Sequence, residues 1–264
     1  MEASSPLFFE RYELKYLIPE EMIEPISQYA ETYCVLDPYS ERSPDKFYGV
    51  NNLYLDTPNF LFLERRKASM DDRFNLRIRS YGDEPVYPYF LEVKFKSKGF
   101  IKKKRSKVYG DDWANELNGI TDPDFEGYGI NTDYRNVFHR LVHSYNAAPK
   151  VFTQYKRKAY LSVYDDYARV TFDRQLRYTR REEYNLKPIE GVMSAYDFET
   201  NYNVGANIIL ELKCTSRMPM WMLDLIAYFN LERTSFSKYM TGVNEVIPDH
   251  YAPAPYRIPA HCYQ

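Results

Sequence analysis

The sequence contains few cysteines, no long apolar run and no excess of charge of either sign. Cys34, Cys214 and Cys262 are odd in number, widely spaced and free of any CxxC pairing, which argues against a disulfide framework and against a zinc–thiolate site. No stretch approaches the roughly 20 apolar residues that span a bilayer, and the first residues lack the apolar core of a signal peptide. A cytoplasmic location is therefore predicted.

The balance of charge limits the classes of partner. Lys and Arg number 35 against 37 Asp and Glu, a formal net charge of −2, which argues against a nucleic-acid binder that is basic throughout. Any strong positive field must be local. No linker-like break divides the 264 residues, so we expect one domain over residues 1–247, followed by an extended Pro-rich tail over 248–264.

Eight tyrosine-rich stretches have the alternation and the β-branched or aromatic content of β-strands. The predicted strands are 9–18, 48–56, 73–81, 88–96, 100–109, 151–161, 167–173 and 207–214. Ser97, Lys98 and Gly99 form a short polar connection that predicts a hairpin between the fourth and fifth strands. Sequential hairpins predict antiparallel pairing.

Helical periodicity falls between the strands. Apolar residues at the 3.6-residue period predict helices over 22–33, 133–146 and 218–230, and a fourth just after Pro58. Segments 120–132 and 180–206 lack a sustained period and are predicted to be loops. The expected fold is α+β, a mainly antiparallel β core with helices packed on its outside.

Charged residues occupy alternate positions in most of the predicted strands. Side chains two residues apart on a strand point the same way, so if Leu91 and Val93 face the helices, Glu92 and Lys94 face away from them. Two outcomes stay open at this point. On an open sheet these charges face water and form weak ion pairs, whereas in a closed sheet they line a tunnel. The residues with this spacing are Arg11, Glu13, Lys15, Arg77, Arg79, Glu92, Lys94, Lys96, Arg169, Glu211 and Lys213.

A tunnel with many cations calls for an anionic ligand, because like charges repel and each buried ion loses its hydration. Arginine makes planar bidentate contacts with phosphate and lysine supplies a mobile point charge, so the mixture suits several phosphates in a row. Glu13, Glu92 and Glu211 could bind a divalent cation that bridges phosphate oxygens.

Two other patterns have simpler interpretations. His139 and His143 are four apart on a predicted helix but lack the glutamate of HExxH, so they are predicted to be surface residues. Only half of the basic run 102–105 shares one face of a strand, so it is divided between tunnel and solvent.

Eight stretches occur in one order over residues 8 to about 243: FERYELKYLI, YLDTPNF, NLRIRSYG, FLEVKFK, YKRKAY, RVTFD, ILELK and FSKYMTGV. Together they resemble the VTC domain of polyphosphate polymerases, within the CYTH-like triphosphate tunnel superfamily. The resemblance implies an eight-stranded antiparallel β-barrel, the triphosphate tunnel. It also implies transfer of the terminal phosphoryl group of ATP onto inorganic polyphosphate, with Mn²⁺ or Mg²⁺ as cofactor and release of ADP.

The resemblance also assigns residues, position by position. The catalytic residues it implies are Lys15, Arg77, Arg79 and Glu211, with Glu211 as the metal ligand. Arg65 competes with Arg66 for one position, and strand parity does not decide between them. The implied substrate-binding residues are Lys15, Arg66, Arg77, Arg79, Lys94, Lys104, Tyr155, Arg157, Arg169, Lys213 and Lys238.

One departure from the pattern bears on the activity. The wider superfamily begins with ExExK, but Arg11 stands where the first glutamate would be, which disfavours a triphosphate hydrolase. Hydrolysis, or binding of polyphosphate or nucleotide without turnover, stays as the alternative. The predicted partners are ATP and polyphosphate, not nucleic acid. No SPX domain or membrane segment is expected in this chain, and association with a separate membrane or regulatory protein is left open.

Overall fold

The computed structural model describes residues 12–97, 100–110, 113–117, 132–165, 167–196, 206–215 and 217–247. The predictions for Arg11, Cys262 and the tail 248–264 lie outside these residues. So do those for Lys98 and Gly99, for residues 120–131 of the first predicted loop and for residues 197–205 of the loop predicted over 180–206.

The described strands form one antiparallel sheet. They are β1 (Tyr12–Ile18), β2 (Cys34–Leu36), β3 (Tyr48–Asp56), β4 (Arg73–Tyr81), β5 (Val86–Ser97), β6 (Phe100–Val108), β7 (Ala148–Ser162), β8 (Ala168–Arg180), β9 (Ser194–Ala195), β10 (Ile208–Cys214) and β11 (Arg233–Thr234). The eight predicted strands correspond to the eight long ones, and the antiparallel pairing is confirmed. The predicted hairpin joins β5 to β6, with Ser97 paired to Phe100.

The prediction that the sheet closes into a barrel is wrong for the described residues. The strand order is β11-β1-β10-β8-β7-β3-β4-β5-β6, with β2 added to β7 and β9 to β8. β11 pairs with the outer edge of β1 at Lys15 and Tyr16. A closed barrel would need β6 to pair with that same edge. The sheet nevertheless curls, which brings Lys94 on β5 within 3.0 Å of Glu13 on β1.

The described helices pack against the sheet. They are α1 (Ile23–Glu31), α2 (Pro38–Arg42), α3 (Leu61–Lys67), α4 (Trp113–Leu117), α5 (Thr132–Ser144), α6 (Met220–Tyr228) and α7 (Lys238–Val246). Of these, α1, α5 and α6 lie on its outer face. Leu76, Ile78, Leu91 and Val93 pack with Phe138 of α5 in one apolar cluster, as the alternation predicts. A second cluster joins α1 and α6 to β1, β8 and β10. None of the described helices has the length and apolar content to cross a membrane.

α7 is the exception to this arrangement, and the periodicity did not predict it. It packs against β7 and β8 in a third apolar cluster that includes Tyr54, Tyr155 and Tyr239. All three tyrosines line the central cavity described below, so α7 lies on the inner face of the sheet. Gly242 makes the approach possible, because a Cβ there would lie 2.6 Å from Cδ1 of Tyr178.

Candidate active site

The inner face of the curled sheet surrounds a cavity of about 450 Å³. All eight long strands contribute side chains to its wall, together with Arg66 of α3, Tyr134 of α5 and Lys238 of α7. The structure brings together these sequence-predicted residues: Lys15, Arg66, Arg77, Arg79, Lys94, Tyr155, Arg157, Arg169, Glu211, Lys213 and Lys238. The alternating charges of the strands therefore face a shared interior.

One predicted residue lies elsewhere. Lys104 pairs with Val93, whose side chain packs in the outer apolar cluster, so the register places Lys104 on the outer face. Its ammonium group lies 5.2 Å from the centre of the Tyr134 ring. Lys103 and Arg105, directly opposite Lys94 and Glu92, line the cavity instead. On α3, Arg66 lines the cavity, whereas Arg65 is not among its lining residues.

Glu92 is the centre of a first ionic cluster, formed with Arg77, Lys103 and Arg105, which we call the Glu92 cluster. Its side chain is only 1% exposed. Arg77 contacts Oε2 through Nε at 2.7 Å and through Nη2 at 2.6 Å. Lys103 and Arg105 contact Oε1 at 2.5 and 2.9 Å. One carboxylate thus fixes two guanidinium groups and an ammonium group on strands β4 to β6.

Arg79 is fixed by two neutral partners, of which the sequence singled out Tyr155 but not Asn52. Asn52 is fully buried on β3, and its Oδ1 accepts a hydrogen bond from Arg79 Nε at 2.7 Å. The Tyr155 hydroxyl accepts a second from Arg79 Nη2 at 3.2 Å. Asn52 is itself oriented by donating to Thr153 at 3.2 Å. Its adjacency to Arg79 follows from the β3–β4 register, which periodicity alone does not give.

Glu211 is the centre of a second ionic cluster, formed with Lys15, Arg157, Lys213 and Lys238, which we call the Glu211 cluster. Glu211 is 4% exposed. The nearest nitrogen of Lys213 lies 2.6 Å from its carboxylate and that of Lys238 3.3 Å. Lys15 and Arg157 are farther away, at 3.5 and 3.7 Å.

Two more carboxylates adjoin the Glu211 cluster. Asp173 is fully buried and accepts two hydrogen bonds from Arg157, at 2.6 and 2.7 Å, and it also contacts Lys238 at 2.7 Å. Glu13 contacts Lys15 at 3.2 Å. Lys15 therefore lies between the carboxylates of Glu13 and Glu211, and this side of the cavity contains nearly as many anions as cations.

The ionic clusters determine the protonation of their members. Burial alone would raise the pKa of Glu92, but Arg77 and Lys103 outweigh burial and hold the pKa well below its usual range. The same balance, with Lys213 and Lys238 as the largest opposing charges, lowers the pKa of Glu211. Both carboxylates are therefore ionised at neutral pH.

The pKa of Tyr81 is also changed by neighbouring cations of the cavity. Burial would raise the pKa of its hydroxyl, but Arg79 and Arg105 lower it to about 8. The hydroxyl accepts a hydrogen bond from Arg105 Nη2 at 2.6 Å. A phenol that ionises near neutral pH among arginines indicates a strongly positive region of the cavity.

The predicted metal site has a limited donor set. Within the part of the chain that the structure describes, no group of three or more His, Cys, Asp or Glu side chains could hold a metal ion. Glu13 and Glu211 share Lys15 as an ion-pair partner and offer two carboxylates on one side of the cavity. Mg²⁺ and related ions often take one or two carboxylates and complete their coordination with substrate phosphates. The residues therefore fit a metal ion that is bound together with phosphate.

His139 differs from its prediction as a surface residue. Its imidazole is partly buried on α5, and burial lowers its pKa to about 4, with Arg135 as a smaller cause. His143 on the same helix is exposed, as predicted.

Comparison with known proteins gives a family and relatives of low sequence identity. A model of the VTC domain matches residues 10–247. Vacuolar transporter chaperone complex subunit 4 of Trypanosoma cruzi is 24% identical over an alignment of 251 residues that covers 83% of this chain. The chain spans only 30% of that relative's length.

Two solved structures are similar at low identity. A candidate adenylate cyclase from Bacillus halodurans is 13% identical, with a TM-score of 0.49, over 87% of this chain and 94% of that one. Another, from Vibrio parahaemolyticus, is 11% identical, with a TM-score of 0.44, over 88% and 97%. The assignment rests on the family model, whose match includes every residue that lines the cavity. The chain belongs to the VTC domain family.

Proposed function

We propose that the chain is a polyphosphate polymerase, which transfers the terminal phosphoryl group of ATP onto a polyphosphate chain and releases ADP. The observation that carries the proposal is the cavity itself, in which cations from seven of the eight long strands and two helices face one space. Phosphoryl transfer requires little covalent chemistry from a protein, because positioning and neutralisation of charge supply most of the rate. A pre-arranged set of cations suits that requirement.

Arg77 and Arg79, with Lys15 and Lys94, bind the phosphates of the donor in this proposal. Glu92 and Asn52 hold the two guanidinium groups in fixed orientations before any ligand arrives. Such pre-organisation reduces the reorganisation that accompanies reaction. Arg66 lies in the same wall and supplements the charge.

The acceptor chain lies against Arg157, Arg169, Lys213 and Lys238. A terminal oxygen of the acceptor attacks the γ-phosphorus, and the bond from that phosphorus to the bridging oxygen of ADP breaks. The acceptor phosphate is already ionised near neutral pH, so its attack needs no general base. The cations on both sides neutralise the charge that builds on the transferring group.

Glu211, with Glu13, would hold the divalent cation. When bound, Mn²⁺ or Mg²⁺ would supply positive charge that neutralises part of the charge of the phosphates. Lys15 lies between the two carboxylates. In this proposal, Lys15 moves to the donor phosphates when the carboxylates bind the divalent cation.

The experiment is to incubate the purified chain with ATP and Mn²⁺ and to separate the products on a gel that resolves polyphosphate. ADP together with a ladder of polymer supports the proposal. Release of orthophosphate from ATP or tripolyphosphate without polymer shows a hydrolase instead. Absence of both products, with tight binding of tripolyphosphate, shows a binding module. Arg180→Ala provides a matched control, because that arginine is exposed, contacts Glu182 at 2.5 Å and is not part of the cavity wall.

A further inference from the structure

Three tyrosine rings gather beside the positive region of the cavity. The ring centres of Tyr39 and Tyr48 are 5.2 Å apart, and those of Tyr39 and Tyr81 are 4.9 Å apart. Tyr48 and Tyr81 meet at 6.0 Å with an edge-on geometry. We call this group the aromatic rim. It combines residues of α2, β3 and β4, and neither the sequence patterns nor the proposed phosphate contacts account for it.

The aromatic rim is continuous with the proposed phosphate site. Tyr81 lines the cavity, and its hydroxyl accepts a hydrogen bond from Arg105 at 2.6 Å. The guanidinium carbon of Arg79 lies 5.9 Å from the centre of the Tyr81 ring. With the 4.9 Å step from Tyr81 to Tyr39, the Tyr39 ring centre lies at most about 11 Å from that carbon. A ribose and one or two phosphates can span a separation of this size.

Tyr39 is the solvent-exposed member of the aromatic rim. Its side chain is 41% exposed, whereas Tyr48 is 6% exposed. The short helix that carries it is well anchored, because Asp37 caps it by accepting from Ser40 N at 2.8 Å and Pro38 occupies its first turn. The exposed side chain of Arg42 lies over the ring at 5.5 Å, and its Nε donates a hydrogen bond to the Pro38 carbonyl at 2.7 Å.

We propose that Tyr39 is a subsite for the nucleobase of the donor, on which a purine stacks while the arginines hold the triphosphate. This inference rests on the proposed function. Stacking of a base on an aromatic ring depends on the π-face that every base has, so it does not read the base edge. The carboxylate of Asp37, at the N-terminus of the same helix, is also unavailable to a base, since it already accepts hydrogen bonds from Ser40, Tyr48 and Arg169. Adenine and guanine nucleotides should therefore bind alike, and pyrimidine nucleotides, with a smaller ring system, less tightly.

The test compares the binding of two ligands, a non-hydrolysable β,γ-imido analogue of ATP and tripolyphosphate, by calorimetry. Tyr39→Ala should weaken binding of the ATP analogue about 5- to 150-fold, the range expected for loss of one base stack. It should leave the affinity for tripolyphosphate unchanged, because that ligand has no base. Tyr39→Phe should retain the affinity of the original protein for both ligands.

Two further variants separate stacking from packing. Tyr39→Leu keeps apolar volume on α2 but removes the π-face, so it should behave like Tyr39→Ala. Tyr228→Ala removes another tyrosine, 76% exposed on α6 and not part of the cavity wall, and it should change neither affinity.

The outcomes are distinguishable from failure of the polymerase proposal. Equal losses for both ligands in Tyr39→Ala, no loss for either, or full affinity in Tyr39→Leu would overturn the subsite. A protein that binds the ATP analogue through Tyr39 yet makes no polymer keeps the subsite and overturns the polymerase.

Discussion

The Glu92 cluster and the Glu211 cluster both place a buried carboxylate among cations, but they differ in composition. Glu92 is surrounded by two arginines and one lysine, and among the described residues no second carboxylate contacts those cations. Glu211 is surrounded by three lysines and one arginine, and Asp173 and Glu13 share those cations. Arginine binds in a fixed planar fork and lysine as a mobile point charge. We therefore expect the Glu92 cluster, the rigid side of the cavity, to hold phosphate in a fixed orientation. We expect the Glu211 cluster, the adjustable side, to exchange its ion-pair partners for phosphate.

The largest effect should come from the rigid side. Arg77→Ala removes a guanidinium group fixed by Glu92, and we expect kcat/KM for polymer formation to fall about 1,000-fold while the fold is retained. Lys213→Ala on the adjustable side should cost only about 10-fold, because neighbouring lysines can shift toward the phosphates. Steady-state kinetics on both variants, with Arg180→Ala as the control, measures the contrast. Equal losses would remove the distinction between the two sides.

Loss of either central carboxylate should destabilise the empty protein by about 3 kcal/mol, since it leaves buried cations without their counter-charge. Urea denaturation of Glu92→Gln and Glu211→Gln measures this loss. Tripolyphosphate should recover most of it in both variants, because its anionic oxygens replace the missing carboxylate. Equal stabilisation of the variants and the original protein by tripolyphosphate would contradict that expectation.

The two carboxylates should differ in their relation to the metal. Glu211→Gln should raise the Mn²⁺ concentration needed for half-maximal activity, whereas Glu92→Gln should leave that concentration unchanged, because both oxygens of Glu92 are already occupied by Arg77, Lys103 and Arg105. A titration of activity against Mn²⁺ measures both. A shift in Glu92→Gln as large as that in Glu211→Gln would contradict the assignment.

A smaller effect should come from pH. The pKa of Tyr81 is about 8, below the ordinary value of 10, because Arg79 and Arg105 outweigh its burial. As pH rises through about 8, the phenolate competes with phosphate for those arginines, so the affinity for tripolyphosphate should fall by up to roughly 10-fold. Tyr81→Phe should lack this component of the decline, measured as the difference between the two proteins from pH 6.5 to 9.5.

The same ionisation has the opposite effect on folding. A pKa that is lower in the folded protein than in the unfolded chain contributes stability at pH values above about 10, and that contribution is lost as the pH falls through about 8. Urea denaturation of the original protein and Tyr81→Phe across this range should show the original protein gaining stability relative to the variant as pH rises.

The smallest effect concerns strand register. Lys103 faces the cavity and Lys104 the outer surface, so Lys103→Ala should weaken tripolyphosphate binding about threefold and Lys104→Ala by less than a factor of two. Calorimetry on the two variants distinguishes them. The reverse order would show that β6 is paired one residue out of register.

The sequence predicted the long strands well because alternation is a strong local signal. β3 and β4 begin and end at the predicted residues, and the inward placement of Glu92 and Lys94 followed from the apolar residues between them. Closure of the barrel was predicted wrongly because β11 occupies the edge of β1 that closure would require. β11 is only two residues long, and so short a strand has no periodic signal in the sequence. α7 was missed because Thr241 and Gly242 weaken its helical pattern, and the glycine is explained by its close contacts with Tyr178 and Val151 in the fold.

The rest of the site depends on contacts between residues that are far apart in the sequence, which periodicity does not predict. Asn52 and Arg79 are 27 residues apart, and Tyr39 and Tyr81 belong to different elements. Asp173 was visible only as part of a motif, although it fixes Arg157 and Lys238. The sequence thus indicated which charges share an interior, while the partners that orient those charges emerged only from the fold.

The carboxylates in and next to the cavity wall also act as counterions for its cations. When a protein cation is neutralised by mobile salt ions, binding a phosphate chain releases those ions and affinity falls steeply with salt. Here Glu92, Asp173 and Glu211 are tethered, so a phosphate chain exchanges with groups that cannot diffuse away. The slope of log affinity against log salt concentration for tripolyphosphate should therefore be shallower than the number of cations in contact with it suggests.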